Sequence, residues 1–266
     1  MPDPEKVAQH IRETAEAEIL PRFRQLGRGD IREKKPGDFV TLADLEAERQ
    51  LTERLSALLP GSVVLGEEAA AQDATRFALL SQEAPVWVID PVDGTANFAR
   101  GQAGFAVIVA RIERRVVQAG WIYDPLGDVM VTAEAGGGAW CGGRRLAVAG
   151  EGEGTPIIGA AYGRAAPGER AAKRLEASGR TAAIRNLGCS ALEYVEIALG
   201  RANFSLHSRS LPWDHAAGML ITAEAGGIAG FLDGSAYDPG IVDRAVLACA
   251  GPRSWAILRE VVGSLL

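Results

Sequence analysis

The sequence predicts an α+β fold built in layers, and three observations predict it. Amphipathic helical stretches and β-rich stretches alternate along the chain. The runs "FAVIVARI", "VVQAGWIYDP" and "DVMVTAEAG" are joined only by "ERR" and "LG", links short enough for antiparallel turns. The run Val86-Trp87-Val88-Ile89 has no polar alternation, so it reads as a strand covered on both faces. Strands of both kinds mixed with helices favour layered α+β over a purely parallel sheet.

The elements follow in order. Val7, Ile11, Ala15 and Ile19 share one helical face and predict a helix over 4–26. "GRGDIREKKPGD" reads as a loop from its Gly, Pro and charge content. Thr41-Leu42-Ala43-Asp44 has the form of a capping box, and Leu51, Leu55 and Leu58 continue its helix to the stop at Pro60-Gly61. "SVVLGEE" reads as a short strand followed by two acids. Beyond the meander, Gly136-Gly137-Gly138 and Gly142-Gly143 mark turns. Residues 147–180 show little pattern, with a linker expected near 150–156. "PIIGAA" and "TAAIRNLG" predict strands. Ser190-Ala191-Leu192-Glu193 looks like a second capping box, opening a helix to Leu199. "WDHAAGMLITAEAGG" predicts a helix from Asp214 to Gly226-Gly227, "AVLACA" a buried strand and "SWAILREVVGSLL" a last helix.

With 266 residues, 47% of them hydrophobic, the chain can form one large domain or two joined halves. A net charge of −6 argues against nucleic acid held by bulk electrostatics. The three cysteines, Cys141, Cys189 and Cys249, lack a CxxC and imply neither a disulfide frame nor a zinc knuckle, which fits a cytoplasmic setting. The N-terminal stretch is polar and helical, unlike a signal peptide, and no apolar run approaches the roughly 20 residues of a membrane helix. His10, His207 and His215 show no zinc spacing, and neither GxSxG nor a P-loop occurs.

The chemistry concentrates in carboxylates. Asp90 ends the covered strand, Pro91 cannot donate the next ladder bond and steers the chain out of the sheet, and Asp93-Gly94-Thr95 makes a tight turn. That turn can bring both carboxylates and the Val92 carbonyl toward one point, a donor set suited to a hard cation such as Mg2+. Read alone, D-G is also a common surface turn. A haloacid-dehalogenase-like site would need its second Asp two residues on, not three. Glu67-Glu68 after "VVL" reads alone as a solvated loop, and Asp214 and Asp44 read alone as helix caps.

Together these pieces resemble the inositol monophosphatase family. "DFVTLAD" (38–44), "GEE" (66–68), "DPVDGTANF" (90–98), "GWIYDP" (120–125) and "WDHAAG" (213–218) stand in the family's order. The resemblance implies a layered αβαβα sandwich of the inositol monophosphatase / fructose-1,6-bisphosphatase type. It would form a single phosphatase domain over 1–266, with sub-halves of about 1–150 and 151–266. It implies Mg2+-dependent hydrolysis of a small phosphate monoester, an inositol-1-phosphate-like polyol or sugar phosphate, with two to three Mg2+ per site. Glu67, Asp90 and the Val92 carbonyl would hold one ion, and Asp90, Asp93 and Asp214 a second; a third, weaker ion would share Glu67. Thr95, supported by Asp44, would orient the attacking water, with Glu67 counted among the catalytic residues, and Gly94 and Thr95 N–H groups would receive the phosphate. A homodimer and lithium sensitivity also follow from the resemblance.

Three departures bear on the substrate. His207 stands where inositol-hydrolysing members carry a Glu that reaches sugar hydroxyls. Ser190 replaces an Ala, and Arg209 could pair with a second anionic group. The family's lysine before P-x-D is met only by Lys34-Lys35, one residue out of register. Histidinol phosphate, fructose-1,6-bisphosphate and 3′-phosphoadenosine 5′-phosphate are the alternative substrates, and a non-catalytic regulatory or binding member is the alternative role.

Overall fold

The computed structural model describes residues 2–27, 29–35, 37–152, 154, 156–162 and 166–265. Helix α1 (Pro4–Thr14) is capped by the Asp3 carboxylate, which accepts the Glu5 N–H at 3.0 Å. Val7, Ile11, Ala15 and Ile19 are buried as their spacing predicts. The helix does not stay regular to residue 26: it widens to π geometry over Ala15–Ile19 and tightens to 3-10 over Leu20–Arg22. Pro21 lacks the N–H that would continue the α ladder, which accounts for the break.

The predicted loop at 27–38 is largely a hairpin. Strand β1 (Ile31–Lys35) pairs antiparallel with β2 (Asp38–Thr41), turning through Gly37 at φ 78°; Arg28 and Pro36 lie outside the described residues. Composition pointed the other way because this hairpin has little apolar content: backbone pairing, not side-chain burial, makes it. Helix α2 (Leu42–Leu58) then starts at Thr41, whose backbone N–H and hydroxyl both donate to Asp44 Oδ2.

Seven strands form the first sheet in the order β3 (Val63–Gly66), β4 (Val86–Asp93), β5 (Ala106–Glu113), β6 (Val116–Asp124), β7 (Val129–Glu134), β8 (Gly138–Cys141) and β9 (Arg144–Arg145). Within this sheet β3–β4 is parallel and the other pairs are antiparallel; β5–β6–β7 is the predicted meander, which β4 extends on one side and β8 and β9 on the other. Short helices α3 (Glu67–Gln72) and α4 (Thr95–Ala99) leave the ends of β3 and β4.

The second half adds β10 (Ile158–Tyr162), α5 (Ala166–Ser178), β11 (Ala183–Ile184), α6 (Ser190–Ala198), β12 (Phe204–His207), α7 (Pro212–Glu224), β13 (Ile228–Phe231), β14 (Val246–Cys249) and α8 (Pro252–Val262). Its sheet runs β11-β10-β12-β14-β13. Helix α5 occupies the stretch read as patternless, and the strand expected over 181–188 shrinks to Ala183–Ile184. Strands β12 and β13 were not anticipated, because at four residues each their apolar signal is too short to separate from a buried helix turn. Glu153 and Thr155, within the expected linker, lie outside the described residues.

Three apolar clusters define the layering. α1 and α2 pack on one face of the seven-stranded sheet through Leu51, Leu55, Trp87, Ile89 and Trp121. α6 and α7 fill the space between the two sheets, with Tyr194, Ile197, Ala217 and Ile221 against Val88, Ile108 and Ile122 on one side and Phe231, Val246 and Ala248 on the other. α5 and α8 cover the far face of the second sheet through Leu175, Leu206, Leu247 and Leu258. The result is helix–sheet–helix–sheet–helix, the expected α+β sandwich. Gly120 of β6 lets α7 approach closely: a Cβ there would lie 2.8 Å from Ala217 Cα.

Candidate active site

On a regular strand, residues three apart point to opposite faces. Asp90 and Asp93 should therefore diverge. They do not, because β4 carries a bulge: Asp90 pairs with Ile108 and Asp93 with Ala106, so three steps on β4 oppose two on β5. The side chains record the switch. Before the bulge Val86 and Val88 face the central layer while Trp87 and Ile89 face α1 and α2. After it Val92 faces α1 and α2, so Asp93 returns to Asp90's side. Pro91 accordingly does not steer the chain out of the sheet; it sits in the bulge, where its missing N–H does no harm, and β4 runs on to Asp93.

The third carboxylate comes from the central helix layer. α7 begins at Pro212 after Leu211, so Asp214 is its third residue and not its start or cap. Asp90, Asp93 and Asp214 each offer an oxygen within 4.8 Å of the others. Glu67, first residue of α3, lies outside that triad but lines the same cavity of about 610 Å3. Gly94, Thr95, Ser190, His207 and Arg209 also line it.

Each carboxylate is held by its neighbours. Asp90 Oδ1 accepts the Val92 N–H at 3.0 Å. Asp93 Oδ2 receives three donors from the start of α6: Ala191 N–H at 2.6 Å, the Ser190 hydroxyl at 3.0 Å and the Cys189 thiol at 3.2 Å. Ser190 Oγ is also 3.0 Å from the Asp214 carbonyl. Ser190 is thus not a capping residue. Cys189 takes the cap position, and Glu193 turns to the Leu187 N–H and the Ser205 hydroxyl. Tertiary partners outbid the local cap because the hydroxyl is aimed at a buried carboxylate. Thr95 Oγ1 lies 3.2 Å from Asp44 Oδ1 and 2.9 Å from the Val92 carbonyl. Asp44 and the Val92 carbonyl thus both meet the hydroxyl of Thr95, which lines the cavity. Gly94, at φ 87°, allows the turn: a Cβ would meet the Gly104 carbonyl at 2.5 Å.

This crowding has an electrostatic consequence. Burial, then the charges of Glu67, Asp93, Asp214 and Asp44, raise the Asp90 pKa well above the usual carboxylate range. Burial pushes Asp93 up to about 6 against the opposing pull of its three donors. Asp44 rises to about 7 and Glu68 to about 8, burial first in both. Lys34 answers part of this charge. Its ammonium lies 3.2 Å from Glu67 Oε1 and 2.9 Å from Glu68 Oε1; burial opposes its charge, but the two carboxylates outweigh it and raise its pKa. The donor set facing the cavity is made of oxygens and negative, which fits a hard divalent cation such as Mg2+.

His207 closes the β12 side of the cavity. Its Nε2 lies 3.2 Å from Glu193 Oε2 and 2.7 Å from Ser205 Oγ, and its ring is 4.7 Å from that of His215. Burial and His207 hold the His215 pKa well below the usual histidine value, and Tyr194 Oη sits 2.9 Å from His215 Nδ1. Arg209 is exposed at the cavity rim. Glu193, Ser205 and Asn97 belong to this constellation without any sequence signal naming them site residues, whereas Lys34 is one of the two lysines noted as out of register. Asn97, which ties α4 to the Gly104 and Leu187 carbonyls at 2.7 and 3.0 Å, was visible as part of "DGTANF"; the partners of Glu193 and Ser205 had no local signal.

A layered α+β sandwich with clustered carboxylates between its sheets defines a metal-site class of enzyme fold. The comparison with known sequences is specific: residues 3–262 match the inositol monophosphatase family, and the chain belongs to it. It is 36% identical over 209 residues to an inositol-1-monophosphatase of Mesorhizobium japonicum, covering 76% of this chain and 75% of that one. It is 33% identical over 204 residues to a fructose-1,6-bisphosphatase/inositol-1-monophosphatase of Thermotoga maritima, covering 76% and 75%. Among solved structures, a Thermotoga maritima IMPase superposes with a TM-score of 0.80 at 27% identity, covering 97% of this chain and 95% of that one. The family is one of phosphoric monoester hydrolases, and membership of it, not the activity, sets aside a haloacid-dehalogenase-like reading. Among the described residues no helix is long and apolar enough to cross a membrane.

Proposed function

We propose that this chain hydrolyses a small phosphate monoester, an inositol-1-phosphate-like polyol or sugar phosphate, in the cavity beside Thr95, using Mg2+. The observation that carries the reading is the convergence of Asp90, Asp93 and Asp214 within 4.8 Å next to that residue. Glu67, Asp90, Asp93, Asp214 and the Val92 carbonyl would hold the Mg2+, which supplies positive charge to the phosphoryl oxygens and a lowered water pKa. The chain's own groups do the rest. Thr95 Oγ1, held between Asp44 and the Val92 carbonyl, orients water and passes its proton toward the buried Asp44 carboxylate. The Gly94 and Thr95 N–H groups receive phosphate oxygens. His207 and Arg209 meet the part of the substrate that does not react.

The wall at His207 combines an imidazole with the Glu193 carboxylate, which lies 3.2 Å from its Nε2 and lines the same cavity. Arg209 favours a substrate with a second anionic group. The test is a phosphomonoester panel with Mg2+, including inositol phosphates, histidinol phosphate, fructose bisphosphate and 3′-phosphoadenosine 5′-phosphate. Turnover is expected on polyol or sugar phosphates. Asp90→Asn should lower it by at least about 100-fold, the upper range for losing a mere supporting contact of a metal site. His207→Glu should reorder the panel; an unchanged ranking would remove His207 from specificity. No turnover on any member would leave a regulatory role.

The same reading treats the whole chain as a single cytoplasmic phosphatase domain working as a homodimer, sensitive to lithium. Sedimentation and Li+ titration of the purified enzyme test the last two.

A further inference from the structure

The β1–β2 hairpin has a register shift of its own. Glu33 pairs with Phe39 but Lys35 with Asp38, so Lys34 is the residue that the pairing skips. A bulge re-aims a side chain, and here it aims Lys34 inward while Arg32, Glu33 and Lys35 stay exposed. The Lys34 ammonium then sits 3.2 Å from Glu67 Oε1, 2.9 Å from Glu68 Oε1 and 3.9 Å from Asp38 Oδ1, with its side chain 18% exposed.

Resting on the metal reading of the site, we propose that Lys34 is a tethered counter-cation. It takes the outer position at Glu67 that a third divalent ion would otherwise occupy, so this chain binds two such ions and not three. The argument is one of charge and space. The recorded contact of Lys34 is to Glu67 Oε1, so an ion at that oxygen would have to displace an ammonium of the same sign. Displacement would also strip Glu68, whose side chain is 4% exposed, of its cation. Asp90, Asp93 and Asp214 are carried by β4 and α7, not by the hairpin, although Gly37 and Asp38 of the hairpin line the same cavity. Lys34 is therefore a positioning residue for Glu67, and it sets the number of ions.

The experiment counts bound Mn2+ per chain at saturation, by electron paramagnetic resonance of the free ion, on the full-length protein. Wild type should bind two, and Lys34→Gln should bind one more and gain more thermal stability from Mn2+ than wild type does. Lys34→Arg, which keeps the charge, and Lys35→Gln, which alters the outward neighbour, should both match wild type. A third ion in the wild type, or a Lys34→Gln protein that folds and binds only two, would overturn the proposal. If Lys34→Gln does not fold, the wild-type count alone decides it. A wild type that binds no Mn2+ fails differently: it removes the metal reading itself.

Discussion

At the scale of single residues, the Thr95 hydroxyl has one proton and two acceptors, Asp44 Oδ1 and the Val92 carbonyl. Thr95→Val keeps the shape and removes both bonds. We expect kcat to fall by about 10–100-fold with little change in KM, because the loss concerns orientation and not the fit of the substrate. Steady-state kinetics on the best panel substrate would show this, and a rise in KM at constant kcat would contradict it. Asp90 makes the opposite kind of prediction. It is 1% exposed among like charges, so neutralising it relieves repulsion. Metal-free Asp90→Asn should melt at or above the wild-type temperature while losing activity, a trade of stability for function measurable by calorimetry.

At the scale of elements, the α6–α7 pair decides whether Asp93 and Asp214 meet. α6 anchors Asp93 through its first turn, and α7 carries Asp214. The two helices approach at Gly218, where a Cβ would lie 2.1 Å from Tyr194 Cδ2. Tyr194 is fully buried and held at His215, so its ring cannot step aside cheaply. Gly218→Ala should therefore cost about 1–3 kcal/mol of stability. It should also weaken Mn2+ binding, since parting the helices parts the carboxylates. Urea unfolding and metal titration of the same variant test both halves; lost stability with unchanged metal affinity would show that α7 moves without disturbing the site.

For the molecule as a whole, the crowded carboxylates make metal-free stability fall as pH rises. Asp44 and Glu68 have folded pKa values of about 7 and about 8, above the ordinary 3.8 and 4.5 of these side chains. The folded chain thus holds more protons than the unfolded one between those limits, and raising pH through the folded values removes that stability. Asp90 and Asp93 act in the same direction. His215 acts oppositely, but only below the ordinary histidine value of 6.5. The comparison therefore belongs between about pH 7 and about pH 9, where the metal-free melting temperature should decline. Saturating Mg2+ should flatten or reverse the trend, because a cation stabilises the deprotonated cluster. A metal-free melting temperature that climbs over this range would contradict the coupling.

Local chemistry was legible in the chain by itself. The Thr41–Asp44 cap, the buried run into Asp90, the Asp93-Gly94-Thr95 turn and the meander depend on neighbours a few residues away, and a linear pattern records such neighbours. The family motifs added the order in which distant acids would be used. What the tertiary structure alone decided is where side chains point once elements pack. The bulge at Pro91-Val92 turns Asp93 to the face of Asp90, and the skipped position in β1 turns Lys34 toward Glu67. Ser190 gives up its cap for Asp93. Each outcome is set by register between strands or by a partner roughly a hundred residues away or less, and pairing of that kind leaves no mark in local spacing.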